Sequence, residues 1–247
     1  MKKPAIGIVG GVGPAAGADL CHKIFSHTKV TCDQDHIDLY LTSCPSIIPD
    51  RTDFLLNHGA DPRNGLLSCM EKLVALGATA LGVACNTAHS QKIIGAIDMS
   101  FLGPDVRFCN MIEETCRFIA DGYDEGVPIG FMATLGTTNT GVYDEYFSKY
   151  HGLKLVKCDE AYRKAINDAI YSKKYGIKVT PKVSDKARGI LIDAVNQLKE
   201  KGCKAVILGC TELPLALDSE NSPLPIIDPT DILAQALVRA TEPEKLV

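Results

Sequence analysis

A chain of 247 residues, 46% hydrophobic and 23% charged, has the composition of an ordinary globular protein and room for one large domain or two smaller ones. A net charge of −4 excludes the basic excess of a general nucleic-acid binder, and the longest apolar runs are far too short to cross a bilayer. Met1-Lys2-Lys3-Pro4 leads directly into a strand pattern without the apolar region of a signal peptide, so the expectation is a cytoplasmic protein with neither membrane nor nucleic acid as partner.

In chain order, Ile6–Val9 reads as a strand, followed by a glycine turn and a helix over Ala15–Thr28. Ile37–Thr42 is a second strand, followed by a loop rich in Pro, Asp and Arg and a helix over Arg63–Leu76. Ala80–Ala84 is a third strand, with Ala88–Ile97 expected to be helical, and Val106–Asn110 with Ile112–Asp121 repeats the strand-then-helix step. The second half opens with the strand Ile129–Ala133 and a helix over Tyr143–Tyr150, then Lys154–Lys157 and the helix Glu160–Lys174. A helix over Asp185–Lys201, strands at Ala205–Leu208 and Pro225–Ile227, and a helix over Ile232–Arg239 complete the chain. Strands alternating with helices give an α/β class with mainly parallel sheets flanked by helices.

The ten cysteines include no Cys-x-x-Cys pair, so ordinary zinc spacings are absent and no metal is expected. Cys21, Cys69, Cys116 and Cys203 read as small buried hydrophobes. Cys85 and Cys210 differ by position. Leu73-(x3)-Gly77-(x2)-Ala80-Leu81-(x3)-Cys85 returns as Leu198-(x3)-Gly202-(x2)-Ala205-Val206-(x3)-Cys210, at a constant offset of 125 residues. Ile6-Gly7-Ile8 is matched by Ile129-Gly130-Phe131 at an offset of 123. The repeat implies two pseudo-symmetric α/β halves, each with a cysteine just past the carboxyl end of a strand, where open parallel sheets bind ligands. The expected site is a cleft between the halves.

Both cysteines have small polar neighbours, in Cys85-Asn86-Thr87-Ala88-His89 and Gly209-Cys210-Thr211-Glu212. Backbone N–H groups at such junctions favour an anion and the thiolate form. One cysteine would suggest a nucleophile, whereas a matched pair suits racemisation. One group takes the α-proton from one face, the other returns a proton on the opposite face, and the roles exchange in reverse. Simple space filling is the alternative for either cysteine alone.

An ordered set of motifs then resembles the aspartate/glutamate racemase superfamily, in its aspartate-racemase branch. It runs through Gly10-Gly11-Val12-Gly13-Pro14, Ile48-Pro49-Asp50-Arg51-Thr52, Cys85-Asn86-Thr87-Ala88-His89 and Met111-Ile112-Glu113-Glu114-Thr115. It continues through Ala133-Thr134-Leu135-Gly136-Thr137, Gly141-Val142-Tyr143, Gly209-Cys210-Thr211-Glu212 and Ile227-Asp228-Pro229-Thr230. The resemblance implies a pyridoxal-independent racemase, with no cofactor, that forms a homodimer and uses Cys85 and Cys210 as its two bases. Gly13-Pro14 and Glu212 stand where glutamate racemases carry an aspartate-serine pair and a histidine, which favours the aspartate branch. The expected domains are residues 1–109 with 222–247, and residues 110–221.

An acidic amino acid is the expected substrate and presents two carboxylates and an ammonium. Arg51 suits a carboxylate through its planar fork, against the alternative of a surface arginine. Asn86, Thr87, Thr134, Thr137 and Thr211 are candidate contacts that could equally be helix caps. Gly11 and Val12 belong to a turn that could bring backbone to the substrate carboxylate. The branch resembled carries a lysine in a Lys-x-Gly after Ile-Tyr, which Lys174 fits, with Lys173 as the alternative. Glu212 is a candidate for tuning Cys210, while His89 reads as a packing or capping residue.

Three other readings compete. Gly11-Val12-Gly13-Pro14-Ala15-Ala16 fits a dinucleotide fingerprint, although the second strand ends in Ser43-Cys44-Pro45 without the acidic residue that an NAD(P) oxidoreductase needs for the ribose. A non-catalytic amino-acid binder could share two clefted halves but would have no use for paired cysteines. Hydantoin racemase and maleate isomerase activities share the superfamily architecture.

Overall fold

The computed structural model describes residues 3–150, 152–180 and 182–247. Their contacts divide the chain into two compact units, 1–114 with 230–247, and 115–229.

In the first unit β1 (Ala5–Gly10), β2 (Asp38–Ser43), β3 (Ala80–Val83) and β4 (Arg107–Cys109) form one parallel sheet in the order β2-β1-β3-β4. Helix α1 (Pro14–Ser26) starts with proline at its first turn, where the missing N–H costs nothing. Ile6 and Ile8 of β1 pack with Ala16, Leu20 and Ile24 of α1, and with Leu233 and Leu237 of a C-terminal helix spanning Pro229–Thr241. Val9, Leu81 and Val83 point to the opposite face, against Leu66, Met70 and Leu73 of a helix over Arg63–Leu76. That helix ends at Gly77 in the left-handed conformation.

In the second unit β5 (Pro128–Met132), β6 (Lys154–Lys157), β7 (Ala205–Leu208) and β8 (Ile226–Ile227) repeat the arrangement as β6-β5-β7-β8, again all parallel. The registers agree as well: Ile6 pairs with Ala80 in the first sheet, and Ile129 pairs with Ala205 in the second. The 123- and 125-residue sequence offsets therefore describe one structural repeat. Val206 and Leu208 pack under helices Glu160–Tyr171 and Asp185–Glu200 through Ile166, Ile170, Leu191 and Leu198. The Phe131 ring lies tilted against the fully buried Tyr143, with centroids 4.6 Å apart, and the Tyr143 ring also meets Phe147.

The remaining helices complete the numbering as α2 (Arg51–Asn57), α3 (Arg63–Leu76), α4 (Met111–Gly122), α5 (Leu135–Asn139), α6 (Val142–Phe147), α7 (Glu160–Tyr171), α8 (Asp185–Glu200) and α9 (Pro229–Thr241). The expected helix Tyr143–Tyr150 is observed as Val142–Phe147, and two others are altered for one shared reason. Ala88–Ile97 is not a helix but two 3-10 turns, Thr87–His89 and Ile94–Ala96. Ser90 between them adopts ψ 143° and its hydroxyl accepts the Lys92 N–H. Helix α7 stops at Tyr171 rather than Lys174, where Ser172 turns to ψ 126° and its hydroxyl accepts the Lys174 N–H. In both places a serine offers the backbone a local partner that competes with the helix. Conversely, α2 forms inside an expected loop because Asp50 accepts the Asp53 N–H at 2.8 Å as its cap. Among the described residues no helix is long and apolar enough to cross a membrane.

Candidate functional site

The first cysteine is placed by β3. Beyond the strand, Ala84 N–H still donates to the Val9 carbonyl at 3.2 Å, continuing the ladder, and Cys85 N–H turns back to the Val83 carbonyl at 2.9 Å. Cys85 is 7% exposed with a free thiol, and Asn86 and Thr87 after it are buried. His89, wholly buried, closes this segment. Met111 N–H donates to its Nε2 at 3.3 Å, so Nε2 is an acceptor. The hydrogen is then on Nδ1, which donates to the Cys85 carbonyl at 2.9 Å. Burial pushes the imidazole pKa down to about 4, against the opposing pull of the Cys85 carbonyl. His89 is therefore neutral near pH 7 and braces the cysteine turn to the start of α4.

Two loops are tied together beside this turn. Gly11 adopts φ +77°, and a Cβ there would lie 2.6 Å from the Cys44 backbone nitrogen. Gly11 is required by the close approach of the chain's own backbone. Arg51, the first residue of α2, donates through Nη2 to the Val12 carbonyl and through Nη1 to the Pro49 carbonyl at 3.1 Å. Arg51 thus joins the loop after β2 to the turn after β1.

The second cysteine is placed by β7. Gly209 N–H donates to the Met132 carbonyl at 2.7 Å, the counterpart of the Ala84–Val9 bond. A Cβ on Gly209 would meet the Phe131 ring at 2.3 Å, so this step also needs glycine. Cys210 is 7% exposed, as Cys85 is, but its neighbours are charged. Its thiol donates to Glu212 Oε2 at 3.0 Å, and the Thr211 hydroxyl donates to the same oxygen at 3.3 Å. The other oxygen, Oε1, is held by the Lys178 ammonium, whose nitrogen stands 5.7 Å from the Tyr171 ring centroid. Burial pushes the Cys210 thiol well up, the Glu212 charge adds to this, and the Lys178 ammonium partly offsets it. Cys210 is protonated at neutral pH.

The structure separates the expected contacts. Asn86, Thr87 and Val12 are buried in the first unit near the Cys85 turn or the loop tied to it, and Thr211 and Glu212 flank Cys210 in the second. Thr134 is the cap of α5, accepting the Thr137 N–H at 3.2 Å, and the two hydroxyls lie 3.1 Å apart. Lys173 and Lys174 are exposed in the turn after α7. Lys178 is the lysine that reaches Glu212, because Ile177 N–H and Lys178 N–H bond back to the Ala169 and Ile170 carbonyls and fold the chain onto α7. Sequence reasoning missed Lys178, because its contact with Glu212 depends on the chain folding back onto α7. Among the described residues no group of three or more His, Cys, Asp or Glu side chains could hold a metal ion.

Comparison with known proteins gives a consistent set. Residues 9–237 match the family model described as Asp/Glu/Hydantoin racemase. The broad specificity amino-acid racemase RacX of Bacillus subtilis (strain 168) is 24% identical over 242 residues, covering 94% of this chain and 96% of that one. The aspartate racemase of Picrophilus torridus superposes with a TM-score of 0.77 at 26% identity, over 96% of this chain and 94% of that chain. The glutamate racemase of Francisella tularensis, solved with D-glutamate, shares the fold with a TM-score of 0.68 at 15% identity, over 100% of this chain and 84% of that chain.

Proposed function

The chain belongs to the Asp/Glu/Hydantoin racemase family, and from that premise we propose that it racemises an acidic amino acid, aspartate or glutamate, without pyridoxal phosphate, using the thiols of Cys85 and Cys210. The observation that carries this reading is positional. Each cysteine is the second residue after the third strand of its sheet, in two sheets of identical order and register, and each thiol is free and equally buried.

The chemistry asks for one ionised and one protonated thiol, on opposite faces of the substrate α-carbon. Cys210, bonded to Glu212 and pushed up by burial, is suited to be the protonated partner in the resting enzyme. In one direction Cys85 thiolate takes the α-proton and the Cys210 thiol supplies its own to the other face. In reverse the roles exchange. The α-proton is far less acidic than a thiol, so the carbanion must be stabilised around the α-carboxylate. We assign this to the amides of Asn86-Thr87 and Thr211-Glu212, with Arg51, Gly11, Val12, Thr134 and Thr137 completing the substrate contacts. Lys178, rather than Lys174, is assigned to the substrate's side-chain carboxylate, because it stands beside the second cysteine's own partner. The same reading makes the protein a cytoplasmic homodimer, which sedimentation and cell fractionation check.

The test is incubation of purified protein with L-aspartate and, separately, L-glutamate in deuterated water, without pyridoxal phosphate or metal. Inversion by chiral chromatography together with loss of the α-proton signal is expected, and the faster substrate names the specificity. Absence of exchange and inversion with both amino acids overturns the substrate assignment.

A further inference from the structure

Each unit holds the turn after its inner strand with a side chain from the helix that follows its edge strand, and the chemistry of the two ties is opposite. In the first unit Arg51, on α2 after β2, donates to the Val12 carbonyl in the turn after β1. In the second unit the tie comes from Asn167, on α7 after β6. Its Oδ1 accepts the Leu135 N–H at 3.1 Å, in the turn after β5. Asn167 is half-buried and stands in the sequence between Ile166 and Ile170, which pack into the second core, so its side chain leaves α7 at the margin of the buried face. The turn it reaches carries Thr134 and Thr137. Thr134 Oγ1 accepts the Thr137 N–H at 3.2 Å, the Thr134 carbonyl accepts the Thr138 N–H at 3.0 Å, and the two buried hydroxyls lie 3.1 Å apart. This turn shares the carboxyl edge of the sheet with Cys210. It begins two residues beyond Met132, whose carbonyl receives the N–H of Gly209, the residue before that cysteine.

We infer that Asn167 is a positioning residue for substrate binding: by taking the Leu135 N–H it fixes the Thr134 and Thr137 hydroxyls where they donate to a carboxylate of an acidic amino acid. The inference rests on the substrate reading above and adds to it a residue that touches the turn rather than the substrate. Helix α5 has only five residues, Leu135–Asn139, and a helix that short does not hold its own geometry in water. Its threonine cap supplies one bond from within the turn. The carboxamide supplies another from a separate element that is itself anchored in the core. An uncharged acceptor suits the task. An apolar side chain at this position leaves the Leu135 N–H unpaired and the turn loose. A carboxylate there accepts the same N–H but sets a negative charge beside the place where the substrate's own carboxylate binds. The turn is in contact with substrate before and during proton transfer alike, so loosening it weakens binding and leaves the chemical step nearly unchanged.

The experiment compares wild type with Asn167→Leu, Asn167→Asp, Thr134→Val and the double variant Asn167→Leu/Thr134→Val. Titration calorimetry with racemic aspartate reads binding independently of turnover, and racemisation kinetics are run beside it. Asn167→Leu is expected to weaken binding and raise KM by about fivefold, the size of one lost hydrogen bond, with kcat within about twofold of wild type. Asn167→Asp keeps the acceptor, so its weaker binding at low ionic strength should return to the wild-type value at about 0.5 M salt, where the added charge is screened. The leucine variant should not recover. In the Thr134→Val background the effect of Asn167→Leu should shrink to about twofold or less, because both changes act on one turn. Wild-type affinity in Asn167→Leu, or effects of the two substitutions that simply add, overturns the role of Asn167. If the leucine variant fails to fold, the aspartate variant decides: affinity still low at high salt overturns the acceptor. Racemisation by wild type together with unmoved affinity in the variants removes this inference and leaves the racemase reading in place. A wild-type protein that binds no acidic amino acid overturns both.

Discussion

Behind Cys85 stands a neutral imidazole with both nitrogens bonded to backbone, whereas at Cys210 a carboxylate–ammonium pair is bonded to the thiol itself. The backbone around the two cysteines is nearly the same, down to the ladder bond just beyond each third strand. A repeated fold therefore delivers two thiols to equivalent places, and different residues at the positions that follow them then give them different surroundings. His89 controls the shape of its turn; Glu212 controls a charge. A two-base enzyme gains from that difference, because one thiol must hold a proton while its partner does not.

The sharpest way to break the comparison is to remove each thiol in turn. Cys85→Ser and Cys210→Ser should each lower racemisation by about a thousandfold or more, since a serine hydroxyl ionises far less readily than a thiol. Each variant should keep exchange of the α-proton of one enantiomer only, and the two should differ in which. If both retain exchange of the same enantiomer, the thiols do not serve opposite faces.

The second consequence is a pair of opposite pH dependences in stability. His89 has a folded pKa of about 4 against its ordinary 6.5, so the unfolded chain binds the proton first as pH falls. Stability contributed by the buried neutral ring is full above about pH 6.5 and is lost progressively down to about pH 4, amounting to about 3 kcal/mol. Cys210 behaves in the reverse sense. Its folded pKa lies well above 9.0, so the unfolded chain releases that proton first and stability falls as pH rises past 9. Denaturant midpoints across the pH range should show His89→Asn flattening the acid side and Cys210→Ser flattening the alkaline side. Exchange of these two effects between the variants would contradict the assignment of the neutral and charged surroundings.

The smallest expected effects concern the two glycines. Gly11→Ala places a side chain at φ +77° and 2.6 Å from backbone that belongs to the next loop, so a loss of about 2 kcal/mol is expected. Gly209→Ala drives a Cβ against the Phe131 ring, itself buried against Tyr143, without a left-handed backbone to strain, and a loss of about 1–2 kcal/mol is expected. Thermal melts of both variants check the order.

Much of this organisation is legible along the chain because it depends on near neighbours and on repetition. The strands of both sheets, the helix Arg63–Leu76 and the placement of each cysteine past a strand come from apolar periodicity and from the Leu-Gly-Ala-Cys repeat. The local exceptions were also local in cause: Ser90 and Ser172 ended helices through their own hydroxyls, and Asp50 started one that composition had concealed.

What the sequence determined by itself is the α/β class, the internal duplication, the pair of cysteines and the family those motifs resemble. The tertiary structure decided which groups stand at each thiol. His89 meets Met111 across 22 residues, and Lys178 meets Glu212 across 34. Such pairs depend on how loops and helices settle on the sheets, and periodicity carries no record of that. A histidine four residues after Cys85 became a neutral brace because burial removed the water its charged form needs. A lysine four residues beyond the expected one became the partner of Glu212 because a serine turned the chain back onto its helix.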